Sequence, residues 1–180
     1  MITKWKFISR KTLLDHPRLK IVEDSVEIQD GKQIDYVREA PHATHSVAVI
    51  AINDRGELLL QKEYSYPPDE ILYQLPGGAI ETNEDVLAAA NRELSEESGY
   101  VGKDCEIIGS FYVNNRRSDR KQFVVLCKDL AAQKLPEDSE EFIENIWLPT
   151  EHVRQLVKDG VITNVGLLAA LHLLDAKQCD

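Results

Sequence analysis

GAIETNEDVLAAANRELSEESGY, running from Gly78 to Tyr100, sets the reading of the rest of this chain. From Glu84 to Ser98 its pattern is helical: three consecutive alanines, Ala88 to Ala90, and then Gly99 as the stop. On such a helix Glu93 and Glu97 are four residues apart and Glu96 is three from Glu93, so the three carboxylates share a face. Exposed like charges at this spacing repel by a few tenths of a kcal/mol per pair, about 0.2–0.5. A divalent cation turns that repulsion into attraction. Mg²⁺ takes hard oxygen donors and keeps several waters, so a few carboxylates plus substrate phosphates complete its shell. Ala89, one turn before Glu93, leaves room on the same row. Leu87, Ala90 and Leu94 fall on a neighbouring face that should anchor the helix to a sheet. Gly77 and Gly78 let the backbone approach a metal or phosphate closely, and the Gly77 carbonyl can serve as a further oxygen ligand. Arg92 is read as pairing with a carboxylate of the same motif, Glu84, and fixing the loop, in preference to touching substrate. An acidic helix carrying an arginine is ordinarily a solvated face. A solvated face, however, has no reason to place Gly78 and Gly99 at its two ends in this register.

Outward from this motif the pattern is of strands before it and helices at the end. Leu19 to Ile28 alternates as a strand, Asp30-Gly31 turns it, and Lys32 to Arg38 returns as its hairpin partner. Ser46 to Ile52 reads as a buried strand and Glu57 to Lys62 as its neighbour. Tyr64 to Asp69 reads as loop, because two consecutive prolines cannot join a ladder. Tyr73 to Leu75, Cys105 to Tyr112, Gln122 to Cys127 and Asn145 to Leu148 read as further strands. Thr150 is expected to cap a helix that ends at Lys158, and Asn164 to open a last helix carrying Leu167, Leu168, Leu171 and Leu174. The expectation is one α/β domain with a mixed sheet over residues 46–180, preceded by a hairpin extension over residues 1–45.

Composition bounds the function. The chain has 180 residues, 31 Asp and Glu against 21 Lys and Arg, and a formal net charge of -10. That length suits one well-buried domain. Such a field repels nucleic-acid backbone and anionic membrane, while a local basic patch can still hold a small phosphate. The N-terminus lacks the apolar core of a signal peptide, and Val165 to Leu174 is too short to span a bilayer. Cys105, Cys127 and Cys179 are odd in number and widely spaced, which reads as reduced thiols in a cytoplasmic protein.

The Gly78–Tyr100 segment resembles the box of the Nudix hydrolase superfamily: Gly78, Glu84, Arg92, Glu93, Leu94, Glu96, Glu97 and Gly99 all stand at its spacing. Leu94 fills a position that asks only for a hydrophobic residue; the other seven, as specified identities, would arise by chance on the order of once in 10⁸ registers at ordinary residue frequencies. Only Tyr100 departs, where an aliphatic residue is usual. Over nearly its whole length the chain is similar to the ADP-ribose and nucleoside-diphosphate-sugar pyrophosphatases of that superfamily. The N-terminal hairpin, LLLQKEYSYP, QLPGG, EEFIENIWLP and the closing helix pair all have counterparts there. The resemblance implies the Nudix α/β/α sandwich and a Mg²⁺-dependent (or Mn²⁺-dependent) cleavage of a pyrophosphate, with ADP-ribose the leading substrate. It also implies a homodimer that exchanges its hairpins. By position Glu93 and Glu97 become the main metal ligands, with the Gly77 carbonyl and Glu96 beside them. Glu141 falls on a mobile-loop acid that orients or deprotonates the attacking water, with Glu97 or Glu140 as alternatives. Tyr36 matches an aromatic that stacks on the base and Arg38 a basic residue that contacts substrate.

Three positions depart from that group: Asn115 stands where a Pro is usual, Ser65 where an Arg is usual, and Gln74 where a Glu is usual. Arg116 and Arg117 can restore the lost positive charge at the pyrophosphate, the alternative being exposed loop charges. A rival reading keeps the same box with another entrance, for nucleoside triphosphates, dinucleoside polyphosphates or RNA 5′ ends. Against RNA stand the acidity and the lack of a basic, aromatic-interleaved stripe.

Overall fold

The computed structural model describes residues 2–40, 45–133 and 142–178. The chain divides into two compact units, Met1–Thr44 with Tyr112–Lys121, and His45–Phe111 with Gln122–Asp180. The sequence alone places one boundary at residue 45; the contact pattern adds Tyr112–Lys121 to the first unit.

The first unit is an antiparallel sheet of three strands, β1 (Lys6–His16), β2 (Leu19–Glu27) and β3 (Gln33–Glu39). The β2–β3 hairpin turns through Gln29–Gly31, where Asp30 and Gly31 both take positive φ, 69° and 76°. Such a turn favours Gly and tolerates Asp. Strand β1 is an addition to the expected hairpin. Every one of its eleven residues is exposed, so no burial alternation marked it in the sequence.

The second unit carries β4 (His45–Ala51), β5 (Glu57–Ser65), β6 (Glu70–Gln74), β7 (Tyr100–Tyr112), β8 (Lys121–Ala132) and β9 (Glu144–Pro149). They are ordered β4-β8-β7 and β6-β5-β9, and the last residue of β7, Tyr112, and the first of β8, Lys121, belong to the first unit. Strand β5 runs to Ser65 and pairs Tyr64 with Ile71, which corrects the expected loop over Tyr64–Asp69. Pro67 and Pro68 are accommodated because the turn needs only the four residues 66–69. Three helices complete it: α1 (Val86–Ser98), α2 (Thr150–Lys158) and α3 (Val165–Gln178). Asp85 caps α1, accepting from the N–H groups of Leu87 and Ala88, so the helix starts two residues later than Glu84. Thr150 is the first residue of α2 and no side-chain cap; its hydroxyl donates to the Gly56 carbonyl. Asn164 does open α3, its Oδ1 accepting from Leu167 N at 3.1 Å.

The strands are apolar on both faces because both are covered. Val47, Val49, Ala51, Leu59, Val125 and Cys127 pack with Ala89, Ala90 and Leu94 of α1. The alternate residues, Ala48, Ile50, Leu58, Leu60, Val124 and Leu126, pack with Val153 of α2 and Leu167, Ala170, Leu171 and Leu174 of α3. This is helix, sheet, helix. Cys105 and Cys127 are joined as a disulfide between β7 and β8, which overturns the reading of both as reduced thiols. Twenty-two residues apart in sequence, they meet because β7 and β8 are neighbours in one sheet. The case for a reducing compartment that rested on these thiols falls with it. Among the described residues no helix is long and apolar enough to cross a membrane.

Candidate active site

The second unit builds its polar centre on α1. The burial of Ala89, Ala90 and Leu94 fixes the roll of this helix, and with it the direction of Arg92, Glu93, Glu96 and Glu97. Arg92 donates Nε and Nη2 to the two carboxylate oxygens of Glu84 at 2.8 and 3.0 Å. Its Nη1 reaches Glu93 at 2.9 Å and Glu96 at 3.1 Å, and Nη2 also reaches the Ala79 carbonyl at 3.0 Å. A guanidinium has five N–H groups, and these five bonds use all of them. Hydrogen bonding from Arg92 holds the Glu84 carboxyl below the usual carboxylate range; burial opposes this, and the Glu81 N–H adds to it. Pairing with Glu84 first, and then with Glu93, holds the Arg92 guanidinium protonated still more firmly than a free one.

Glu97 is gripped separately. Its Oε2 accepts from the Gly77 N–H at 2.9 Å and from Gln61 Nε2 at 3.1 Å, while Asn145 Nδ2 donates to its backbone carbonyl at 2.7 Å. Gln61 is 1% exposed, two positions beyond Leu59 on the face that meets α1, and its register partner on β9 is Asn145. Neither residue stood out in the sequence. The available signal was a polar Gln inside the apolar run of β5, where a buried amide must find a partner.

Both glycines before the helix are sterically required. At Gly77 φ is +149° and an added Cβ would lie 2.2 Å from the Val47 carbonyl oxygen. At Gly78 an added Cβ would lie 2.5 Å from Glu93 Oε1. The Pro76 and Gly78 carbonyls are engaged by the N–H groups of Val49 and Val47. Gly99 ends the helix at φ 77°, its N–H on the Ser95 carbonyl.

The donors gathered here are all oxygens, the set that Mg²⁺ or Mn²⁺ prefers, and the lack of a side chain at Gly78 makes the room that the Glu93 carboxylate occupies. Among the described residues no three carboxylates, imidazoles or thiols already close on one point as ligands. Instead Arg92 stands among Glu84, Glu93 and Glu96 as their internal cation. The residues fit a hard divalent ion that shares these carboxylates with Arg92. Glu141, and its alternative Glu140, lie outside the described residues.

The four candidate substrate residues come together in the first unit. Tyr36 and Arg38 sit two apart on β3, facing Tyr112, Asn115, Arg116, Arg117 and Asp119 across a cleft of about 290 Å³. The Tyr36 hydroxyl donates to the Arg116 carbonyl, the Arg117 guanidinium lies 5.8 Å from the Tyr36 ring centre, and Arg117 Nη1 donates to the Val37 carbonyl at 2.9 Å. Arg38 donates Nε to Asp24 at 2.9 Å and Nη1 to the Glu39 carbonyl at 2.8 Å. Of the three departing positions, Asn115 lines this cleft. Ser65 pairs with Glu70 at the end of the β5–β6 hairpin, and Gln74 donates its amide to Glu63.

Comparison with known proteins supplies the family and the fold. A family model described as the NUDIX domain matches residues 42–171. An ADP-ribose pyrophosphatase of Bacillus subtilis is 27% identical over 96% of this chain and 94% of its own length. ADP compounds hydrolase NudE of Escherichia coli is 27% identical over 94% of each. A methanol dehydrogenase activator of Bacillus methanolicus is 26% identical over 96% of this chain and 94% of its own. Relatives at one distance thus carry different activities. A solved structure titled as an ADP compounds hydrolase superposes with a TM-score of 0.89 at 24% identity, covering 98% of this chain and 95% of the other, and so shares its fold.

Proposed function

The chain belongs to the NUDIX family and is a hydrolase of pyrophosphate bonds, and from that premise we propose that it acts on nucleoside diphosphate sugars, ADP-ribose first among them. The observation that carries the reading is the pair of grips on α1: Arg92 on Glu84, Glu93 and Glu96, and the Gly77 N–H with Gln61 on Glu97. These set four carboxylates in fixed places beside a glycine-lined approach, which is what cleavage of a charged phosphoanhydride requires. Glu93 and Glu97 would hold a divalent ion, Mg²⁺ or Mn²⁺, with Glu96 and the Gly77 carbonyl beside them. When bound, such an ion neutralises phosphate charge and acidifies water.

The chain's own residues do the rest. Arg92 keeps Glu93 and Glu96 from splaying apart under mutual repulsion. Gln61 and the Gly77 N–H hold the Oε2 atom of Glu97 in place. A carboxylate, Glu141 or else Glu97 or Glu140, takes the proton of an attacking water. The new O–P bond forms in line as the bond to the bridging oxygen breaks, releasing a nucleoside monophosphate and a sugar phosphate. Tyr36 stacks on the base, and Arg38, Arg116 and Arg117 meet anionic oxygens of the nucleotide. We also propose a homodimer through residues 1–45. Every residue of β1 is exposed, Phe7, Leu13 and Leu14 among them, and so is Trp5 just before it, which supports a partner for that sheet.

The test is a phosphate-release panel over ADP-ribose, GDP-mannose, UDP-glucose, NADH, diadenosine polyphosphates and deoxynucleoside triphosphates, with and without chelator. Nucleoside diphosphate sugars should lead, and chelator should abolish turnover. Triphosphates or capped RNA exceeding every nucleoside diphosphate sugar by about tenfold in kcat/KM would refute the substrate class. A fully active monomer by sedimentation at micromolar concentration would refute the dimer.

A further inference from the structure

In the N-terminal sheet one buried carboxylate organises the cations of the cleft. Arg10, Asp24 and Tyr36 form a row across β1, β2 and β3, since Asp24 is the register partner of both others. Residues paired in this way present their side chains on one face. Arg38, two positions beyond Tyr36, shares that face. Asp24 is 6% exposed. A carboxylate so buried must be compensated. Arg10 supplies Nε and Nη2 at 2.6 and 2.9 Å in a two-point clasp, and Arg38 supplies Nε to the Oδ2 atom at 2.9 Å.

Arg38 is therefore held on two sides, by Asp24 at Nε and by the Glu39 carbonyl at Nη1. Asp119 approaches Nη1 more loosely, at 3.8 Å. Among the described residues no hydrogen bond uses its Nη2, and Arg38 lines the cleft with Tyr36 and Arg116. A guanidinium locked through Nε and Nη1 offers its remaining edge in one fixed direction, which lowers the ordering cost of meeting a ligand oxygen.

We propose that Asp24 is a positioning residue for nucleotide binding: it aims the Nη2 edge of Arg38 at a phosphate oxygen of the nucleoside diphosphate. Arg10 completes the charge balance of Asp24 from the far strand and does not meet the ligand. This rests on the substrate cleft proposed above.

The experiment is a double-mutant cycle of Asp24→Asn and Arg38→Ala, read as KM and kcat on the best substrate of the panel. Asp24→Asn in the wild-type background should raise KM by about tenfold and leave kcat within about twofold, because the aimed charge-assisted hydrogen bond is lost and the chemistry is untouched. In the Arg38→Ala background the same substitution should change KM by less than about twofold. Equal effects in both backgrounds, or a fall in kcat without a rise in KM, would overturn the proposal and leave Asp24 as a structural ion-pair partner. Should Asp24→Asn not fold, Arg38→Lys decides, because a lysine keeps the charge and has no second edge to aim. A KM rise of about tenfold supports the proposal, and a KM within about twofold of wild type overturns it. If the wild type cleaves triphosphates in preference to nucleoside diphosphate sugars, the substrate reading fails. The cycle still tests Asp24 on that other substrate.

Discussion

Replacing Gly78 by alanine should separate catalysis from folding. The added Cβ would lie 2.5 Å from Glu93 Oε1 and 2.7 Å from Cδ and Oε2, where ordinary contact begins at 3.4 Å. The shortfall is 3.4 minus 2.5, or 0.9 Å, and it falls on the tip of a flexible side chain, so Glu93 gives way and the backbone stays. Moving a group by about 1 Å at a reacting centre costs on the order of a hundredfold in rate. Stability should fall by only about 1 kcal/mol, roughly 2–4 °C in Tm for a chain of this size. Gly77→Ala is the contrasting control. Its Cβ meets backbone, the Val47 carbonyl oxygen at 2.2 Å, with φ at +149°, so the strand itself must shift. That should cost about 3 kcal/mol or more, roughly 6–12 °C. The assay is coupled phosphate release from ADP-ribose at saturating Mg²⁺, beside thermal melts of both variants. A Gly78→Ala protein with kcat/KM within about threefold of wild type would mean that Glu93 does not need its observed place, and the metal assignment would fail with it.

Glu97→Gln keeps shape but exchanges an anionic ligand for an amide, so turnover at saturating Mg²⁺ should drop by about a hundredfold or more; near-full activity would remove Glu97 from the metal set. Arg92→Ala leaves Glu84, Glu93 and Glu96 without their shared cation and should lower Tm at pH 7 by about 4–8 °C, these groups being partly exposed. Because Arg92 depresses the folded-state pKa of Glu84, that stability is present above the unfolded carboxylate value, about 4.3, and is lost as pH falls through the folded value. The Tm gap between wild type and Arg92→Ala should therefore narrow below about pH 4.3, and a gap that widens there would contradict the pairing. The Cys105–Cys127 bond joins residues 22 apart, so the double Cys→Ser variant should lose about 3 kcal/mol. The unreduced, denatured wild type should titrate one thiol, Cys179, and a titre of three would show that the bond is absent.

The box helix was legible because helical period, glycine spacing and carboxylate spacing coincide within one short segment. The layering was legible too: in β4 and β8 both odd and even positions are apolar, which a strand covered on one face would not need. Strand β1 was not legible, since a strand exposed along its whole length carries no alternation. Tyr64 and Ser65 were hidden by two prolines that confine disruption to a four-residue turn. The grip on Glu97 depends on β5–β9 register, which pairs Gln61 with Asn145 across 84 positions of sequence. Asp24 reads as one more acidic residue in an alternating strand; only register shows that Arg10 and Arg38 reach it from strands on either side. Pairings between distant segments, the disulfide included, are decided by sheet order, and sheet order is not written in local pattern.

The first unit is not a continuous length of polypeptide. The chain leaves it after Thr44, returns at Tyr112 and departs again after Lys121. The returning segment is tied to β3 by Glu39 N on the Arg117 carbonyl, Arg117 on the Val37 carbonyl and Tyr36 on the Arg116 carbonyl. No single cut can therefore separate the units. A fragment beginning at residue 46 would keep residues 112–121 while discarding the strand that satisfies their backbone. An excised N-terminal piece would lose the same three bonds from its side. Shuffling of this region between relatives meets the same constraint: β3 and the β7–β8 connection must be exchanged together, as one inherited unit written in two places along the gene.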